Sequence, residues 1–85
     1  MERSLVRGRA RHIIAEIAEC HEDEVGDDAP LEWFLRDSMA IAEAIGDLGR
    51  MIQVPLRPEE FRGLNTVDDI YRLLEGKLPA TAPSP

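Results

Sequence analysis

The sequence predicts a small all-α protein, a bundle of three to four helices with a long first loop. Apolar residues recur at helical spacing in three segments, and no segment shows the alternation typical of a strand. The 85 residues suffice for one domain with a single modest core. That core must be largely aliphatic, because the chain is 44% hydrophobic but has only two Phe, one Trp and one Tyr.

The first helix is predicted from the positions of its apolar residues. These are Ala10, Ile13, Ile14, Ile17 and Cys20, which follow the i, i+3, i+4, i+7 spacing of an amphipathic helix. We expect the helix to be firm from about Ala10, with Ser4 as a candidate N-cap. Residues 1–9 are predicted to be a basic segment that frays, because Gly8 costs about 1 kcal/mol of helix stability relative to Ala. Cys20 is predicted to be a small core residue.

Residues 22–36 are predicted to form an ordered loop. The sequence Asp27-Asp28-Ala29-Pro30 is typical of a turn, and the apolar residues of the segment do not recur at helical spacing. Four interleaved apolar residues are expected to anchor the loop to the core: Val25, Leu31, Trp33 and Phe34. For Trp33 and Phe34 the alternative is a role in contact with a partner or a bound group.

The second helix is predicted from Ser38 to about Ile52, with Asp37 as its N-cap. An aspartate there can accept a hydrogen bond from a free N–H of the first turn, which leaves Ser38 at the exposed edge. The side expected to be buried consists of Ile41, Ile45, Leu48 and Ile52. The side expected to face water consists of Glu43, Asp47 and Arg50.

Two further helices are predicted in the C-terminal part of the chain. A short one begins at Pro58 and packs Phe61 inward. The last begins at Thr66, where Thr66-x-x-Asp69 has the pattern of a capping box. Its expected buried residues are Val67, Ile70, Tyr71, Leu74 and Leu78. The folded domain is thus predicted to span residues 10–78, and residues 79–85 to form a flexible tail.

Charge and composition exclude several classes of function. The formal net charge is −7, and eight carboxylates with no Lys or Arg lie between positions 16 and 32, which argues against nucleic acid as a partner. No apolar stretch approaches the roughly 20 residues of a membrane span or follows the basic start as in a signal peptide. With a single cysteine, typical of a reducing compartment, we expect a cytoplasmic monomer.

Metal binding and independent catalysis have little support in the sequence. His21 stands beside Glu22, Asp23 and Glu24, but the segment lacks the pattern of a calcium loop and one histidine lacks the partners of a zinc site. No Ser/His/Asp or Cys/His set and no glycine-rich phosphate-binding loop is present. We therefore predict no metal and no enzymatic activity.

Four segments of the chain resemble the acyl carrier protein family. They are the Asp37-Ser38-Met39 site, the helix that follows it, the segment Met51-Ile52-Gln53-Val54-Pro55, and the helix opening Leu64-Asn65-Thr66-Val67-Asp68-Asp69-Ile70. An Asp-Ser pair alone is weak support, but the ordered set is specific. The resemblance covers roughly residues 10–78.

The resemblance implies a discrete carrier protein with 4′-phosphopantetheine attached to Ser38 through a phosphodiester. The terminal thiol of this arm would hold acyl groups as thioesters for polyketide or other specialised acyl biosynthesis rather than bulk fatty acid biosynthesis. Implied partners are a phosphopantetheinyl transferase and acyl-loading or condensing enzymes. Asp37 would support the site, and the residues expected to contact partners are Met39, Glu43, Ile45 and Asp47.

Departures from the family pattern leave two alternatives open. Leu35 stands where many members have glycine, and together with Met39 it is closer to discrete carriers that include D-alanyl carriers. An aminoacyl or D-alanyl carrier is one alternative, and an unmodified acidic helical adaptor is the other. Gly46 and Gly49 make the second helix slim, which allows either close approach of a neighbouring helix or space for an acyl chain.

Overall fold

The computed structural model describes residues 2–78 of the chain. Its helices are α1 (Arg3–Ala18), α2 (Ser38–Ile52), α3 (Pro58–Phe61) and α4 (Val67–Lys77), and two 3₁₀ turns, Glu22–Glu24 and Leu31–Trp33, lie in the first loop. These described residues contain no β-strand. The predicted all-α class is confirmed, and the tail predicted at residues 79–85 lies outside the described residues.

Helix α1 begins earlier than its apolar periodicity predicts. It starts at Arg3, so that most of the segment expected to fray is helical. The prediction of an N-cap at Ser4 was wrong, because the capping position is Glu2. The Ser4 hydroxyl instead donates a hydrogen bond to a Glu2 carboxylate oxygen at 3.2 Å.

The early turns of α1 are held by ion pairs to α4. The Arg7 guanidinium lies 2.9 Å from Glu75 Oε2 and 2.7 Å from Asp68 Oδ1, and its centre is 5.3 Å from the Tyr71 ring centroid. Charge-assisted hydrogen bonds of this kind are stronger than neutral ones. They stabilise the turns that contain Gly8, and no local sequence pattern reveals them because the partners lie more than 60 positions away.

The first loop is anchored by three of its four predicted apolar residues. Val25, Leu31 and Phe34 are buried. Backbone hydrogen bonds attach the loop to the start of α4, as the Leu31 N–H donates to the Asn65 carbonyl and the Val67 N–H donates to the Ala29 carbonyl, at 2.9 and 3.0 Å. The loop is therefore ordered as predicted, with Trp33 as the exception described below.

The buried side of α2 differs in part from the prediction. Leu48 and Ile52 are buried as expected, but the other fully buried positions are Ala44 and Gly49. Ile41 and Ile45 are only partly buried, because the small residues on the neighbouring side of the helix approach the core more closely. Both isoleucines therefore lie on the core side of α2, as predicted, and are half-buried there.

Gly49 permits a close approach, although not of a neighbouring helix. A Cβ on Gly49 would lie 3.2 Å from the Val54 carbonyl oxygen and 3.6 Å from the Leu56 nitrogen. The chain returns against α2 here because Gln53, with φ of 60°, reverses its direction. Gly49 is therefore explained by the segment that follows its own helix.

The last two helices match their predictions. Phe61 of α3 is buried, and so are all five residues predicted for the last helix: Val67, Ile70, Tyr71, Leu74 and Leu78. The capping box is formed, with the Asp69 N–H donating to Thr66 Oγ1 at 3.3 Å and the Thr66 N–H donating to Asp69 Oδ2 at 3.0 Å. Local capping chemistry therefore defines where α4 begins.

Candidate functional site

The candidate site is the first turn of α2. Asp37 has extended backbone, and its Oδ1 accepts a hydrogen bond from the Ala40 N–H at 2.8 Å, as predicted for the N-cap. The preceding residues Phe34 and Leu35 are buried and fix the chain as it enters the helix. The site thus projects from a firmly anchored segment.

Ser38 occupies the first helical position and is exposed. Within residues 2–78 its hydroxyl makes no hydrogen bond, whereas the neighbouring Asp37 carboxylate is held by the helix. An exposed hydroxyl without intramolecular partners can be reached by a modifying enzyme and has room for a phosphodiester. The residues present therefore fit the attachment of a phosphopantetheine group.

Two exposed apolar side chains flank Ser38. Met39 is 81% exposed and Trp33 is 62% exposed. The prediction that Trp33 fills the core was wrong. Three residues complete one turn of a 3₁₀ helix, so Leu31 and Phe34 share the inward side while Trp33 projects outward.

The residues predicted to contact partners occupy two adjacent lines along α2. Helical spacing places Met39, Glu43 and Asp47 along one line and Ile45 on the line of Ser38. Glu43 is exposed, whereas Ile45 and Asp47 are partly buried. The Asp47 carboxylate also pairs with Arg50, so Met39 and Glu43 are the most accessible of the four.

A groove of about 570 Å³ adjoins the first turn of α2. It runs between the C-terminal end of α1, the first loop and the start of α2, and we name it the Trp33 groove. Its walls include Cys20, Glu24, Trp33, Phe34, Arg36, Asp37 and Ala40. Neither the exposure of Trp33 nor this groove was predicted from the sequence, although the three-residue period from Leu31 to Phe34 could have indicated that Trp33 points outward.

Cys20 forms part of the groove wall and packs against the edge of the core. It is a free thiol and is partly buried. Burial raises the pKa of this thiol, and the negative charge of Glu24 raises it further. Cys20 is therefore mostly protonated at neutral pH, which lowers its nucleophilicity.

The described residues were also compared with the requirements of a metal site and of a membrane-spanning helix. Among residues 2–78, no group of three or more His, Cys, Asp and Glu side chains is arranged to hold a metal ion. None of the helices in that same range has the length and apolar character needed to cross a membrane.

Comparison with known families matches residues 9–74 to the family described as "Phosphopantetheine attachment site". A search of curated proteins found no match. Domains of the matched family are the sites of covalent 4′-phosphopantetheine attachment, and they act as carriers rather than catalysts. The match covers most of the chain and confirms the resemblance to the acyl carrier protein family. The chain belongs to the phosphopantetheine-bearing carriers of the acyl carrier protein family.

Proposed function

We propose that Ser38 is the residue that carries the arm, and that the protein is a discrete acyl carrier. Residues 9–74 contain three side-chain hydroxyls, those of Ser38, Thr66 and Tyr71. Thr66 Oγ1 is engaged in the α4 cap, and Tyr71 is fully buried. The observation that carries the proposal is that Ser38 alone of these three is exposed and free of hydrogen bonds within the described residues.

The residues around Ser38 hold its hydroxyl where a transferase can reach it. The Asp37 cap and the buried Phe34 and Leu35 hold the first turn of α2 in place, so that the Ser38 oxygen can form the phosphodiester in a transferase active site. When attached, the arm supplies a terminal thiol on which an acyl group is held as a thioester. Tethering keeps the cargo at a high effective concentration for successive partner enzymes.

The proposed pathway class is polyketide or other specialised acyl biosynthesis, with acyl-loading or condensing enzymes as partners and the cytoplasm as location. The α2 surface supports a partner set that depends little on acidic residues, because Asp47 is already paired with Arg50. Met39 and Glu43 are the contact residues we favour, and Ile45 and Asp47 would contribute from partly buried positions. Transient complexes of this kind use charge mainly for steering and specificity.

An aminoacyl or D-alanyl cargo is the second candidate, supported by Leu35 and Met39. Leu35 is only 6% exposed and packs in the core, so its presence has a structural reason. Met39, at 81% exposure, is the residue of the pair that a partner could contact. The protein that carries the arm is incubated separately with an acyl-activating enzyme and with a D-alanine-activating enzyme. The mass of the thioester that forms distinguishes the two cargoes.

The first test is the intact mass of the protein after incubation with coenzyme A and a broad-specificity phosphopantetheinyl transferase. We expect a gain of one phosphopantetheine in the wild type and none in Ser38→Ala. Ser4→Ala is the matched control, since Ser4 lies outside the matched residues, and it should gain the arm like the wild type. A gain in Ser38→Ala, or no gain in folded wild type, would contradict the proposal, and the second result would favour the unmodified adaptor.

A further inference from the structure

We infer that the arm, once attached to Ser38 as proposed above, lies back against the protein in the Trp33 groove. The groove begins where the arm would be tethered, because Asp37 directly precedes Ser38 and Ala40 follows two positions later, and both line it. A group held at the groove's end has an effective concentration in the millimolar range there. Even weak contacts then suffice to keep the arm in place.

The size of the groove matches the proposed occupant. Sites for small molecules have volumes of about 300 to 1,000 Å³, and the groove has about 570 Å³. Trp33 projects beside it with most of its side chain in water, although large aromatic side chains gain considerably from burial. An arm lying in the groove would cover part of this exposed ring.

The groove walls also match the chemistry of the arm. Beyond its phosphodiester, pantetheine is an uncharged chain of short carbon segments joined by two amides. Trp33, Phe34 and Ala40 provide apolar contact, and the Glu24 carboxylate can accept a hydrogen bond from an amide N–H. Arg36 lies in the same wall and forms no ion pair within residues 2–78, so its charge is available to the phosphodiester.

Cys20 provides a chemical probe of this arrangement, because it lines the same groove from the segment that follows α1. If the arm lies in the groove, its terminal thiol comes within reach of the Cys20 thiol. Oxidation by diamide would then join the two sulfur atoms. The two thiols lose two hydrogen atoms, which reduce the azo group of diamide to a hydrazine, and the protein mass falls by two hydrogens.

The matched control is the double variant Cys20→Ala, Ala42→Cys. Ala42 is exposed and lies four residues beyond Ser38, about 6 Å along the helix, so a freely moving arm reaches a thiol there easily. For each protein, the rate at which the diamide-activated arm closes on the cysteine is divided by the rate constant for the same cysteine, in the protein without the arm, reacting with diamide-activated free pantetheine. This division corrects for differences in thiol exposure and pKa. The ratio is the effective molarity of the arm at that cysteine.

We expect the effective molarity at Cys20 to exceed that at Ala42→Cys by about tenfold, as for groups held in proximity. Trp33→Ala should lower the value at Cys20 by at least about threefold, since the exposed Trp33 side chain would contact the arm. Trp33 is the single tryptophan, so its fluorescence should also change when the arm is attached.

The outcomes separate this inference from the proposed function. Failure of the wild type to gain the arm would overturn both. A mass gain at Ser38 followed by equal effective molarities at the two cysteines, or by no effect of Trp33→Ala, would overturn only the inference. In that case the arm moves freely, and the Trp33 groove is left open for a side chain of a partner enzyme.

Discussion

Ser38 depends for its position on the residue before it. The Asp37 side chain makes the hydrogen bond that caps the start of α2, and the exposed residues around the site make few other contacts. Without this cap the first turn would leave an additional N–H unsatisfied and would fray more readily. The orientation of the Ser38 hydroxyl therefore rests on the neighbouring carboxylate.

We predict that Asp37→Ala lowers the free energy of unfolding by about 1 kcal/mol, the usual cost of losing a side-chain cap. Asp37→Asn keeps an oxygen acceptor and should stay within a few tenths of a kcal/mol of the wild type. Urea denaturation measures the stabilities, and the rate of phosphopantetheine transfer to Ser38 should fall for Ala and recover for Asn. An Ala variant as stable as the wild type would show that the observed bond does not stabilise the helix.

Helix α2 combines two glycines with opposite roles. A Cβ on Gly46 would meet only the flexible Arg50 side chain at 3.5 Å, whereas a Cβ on Gly49 would lie 3.2 Å from the backbone oxygen of Val54. The exposed Arg50 side chain can move away from an alanine at position 46. The Val54 oxygen cannot move alone, because it belongs to the returning segment that packs Leu56 onto the core.

Gly46→Ala and Gly49→Ala should therefore differ in their effect on stability. Alanine gains up to about 1 kcal/mol over glycine in a helix interior, so Gly46→Ala should stabilise the protein by about that amount. In Gly49→Ala the same gain is offset by displacement of the Val54 segment, and we expect this variant to be at least about 1 kcal/mol less stable than Gly46→Ala. Thermal and urea unfolding of both variants test this, and equal stabilisation by both would show that the returning segment adjusts without cost.

The features of the fold that were predicted correctly are those fixed by residues near one another in sequence. The Asp37 cap, the Thr66 and Asp69 capping box and the apolar spacing of α4 each lie within a few turns of chain. They defined the bundle and the candidate site before any tertiary contact was known.

The features that were missed depend on distant parts of the chain or on a less common helical period. The start of α1 is stabilised by Glu75 and Asp68, which no local pattern connects to Arg7. The outward direction of Trp33 follows from a single 3₁₀ turn, and the three-residue spacing of Leu31 and Phe34 is the one local sign of it. The groove beside Ser38 exists because α1, this turn and the start of α2 meet, so it could not be read from the sequence.

Charge contacts across the molecule also set its response to pH. His12 of α1 lies 2.7 Å from Glu22 of the first 3₁₀ turn and 3.2 Å from Glu16, and these contacts, the Glu22 hydrogen bond most of all, raise the pKa of His12 above its ordinary 6.5. Hydrogen bonds from Arg7 lower the pKa of Glu75 below its ordinary 4.5. The Asn65 and Thr66 N–H groups likewise lower the pKa of Asp69 below 3.8.

These shifts act on stability in opposite pH ranges. Because the pKa of His12 is raised in the folded protein, the contacts of His12 contribute fully to the stability of the fold below pH 6.5. This stabilisation is lost as the pH rises through the raised pKa. The carboxylates of Glu75 and Asp69 contribute above their ordinary pKa values, and their contributions are lost as the pH falls through the lowered values. The molecule should therefore be most stable at mildly acidic pH.

We predict that the melting temperature of the wild type falls as the pH rises from 6.5 through the raised pKa of His12, and that His12→Gln removes most of this fall because glutamine does not titrate. Glu22→Gln should also reduce the fall, since it removes the charge that holds the proton on His12. Glu59→Gln is the matched control, because it removes one carboxylate from an exposed position of α3 away from His12 and should keep the wild-type pH dependence. Melting curves recorded by circular dichroism across this range measure the effect. An unchanged fall in His12→Gln would show that titrating groups other than His12 set the pH dependence, and not the contact between α1 and the first loop.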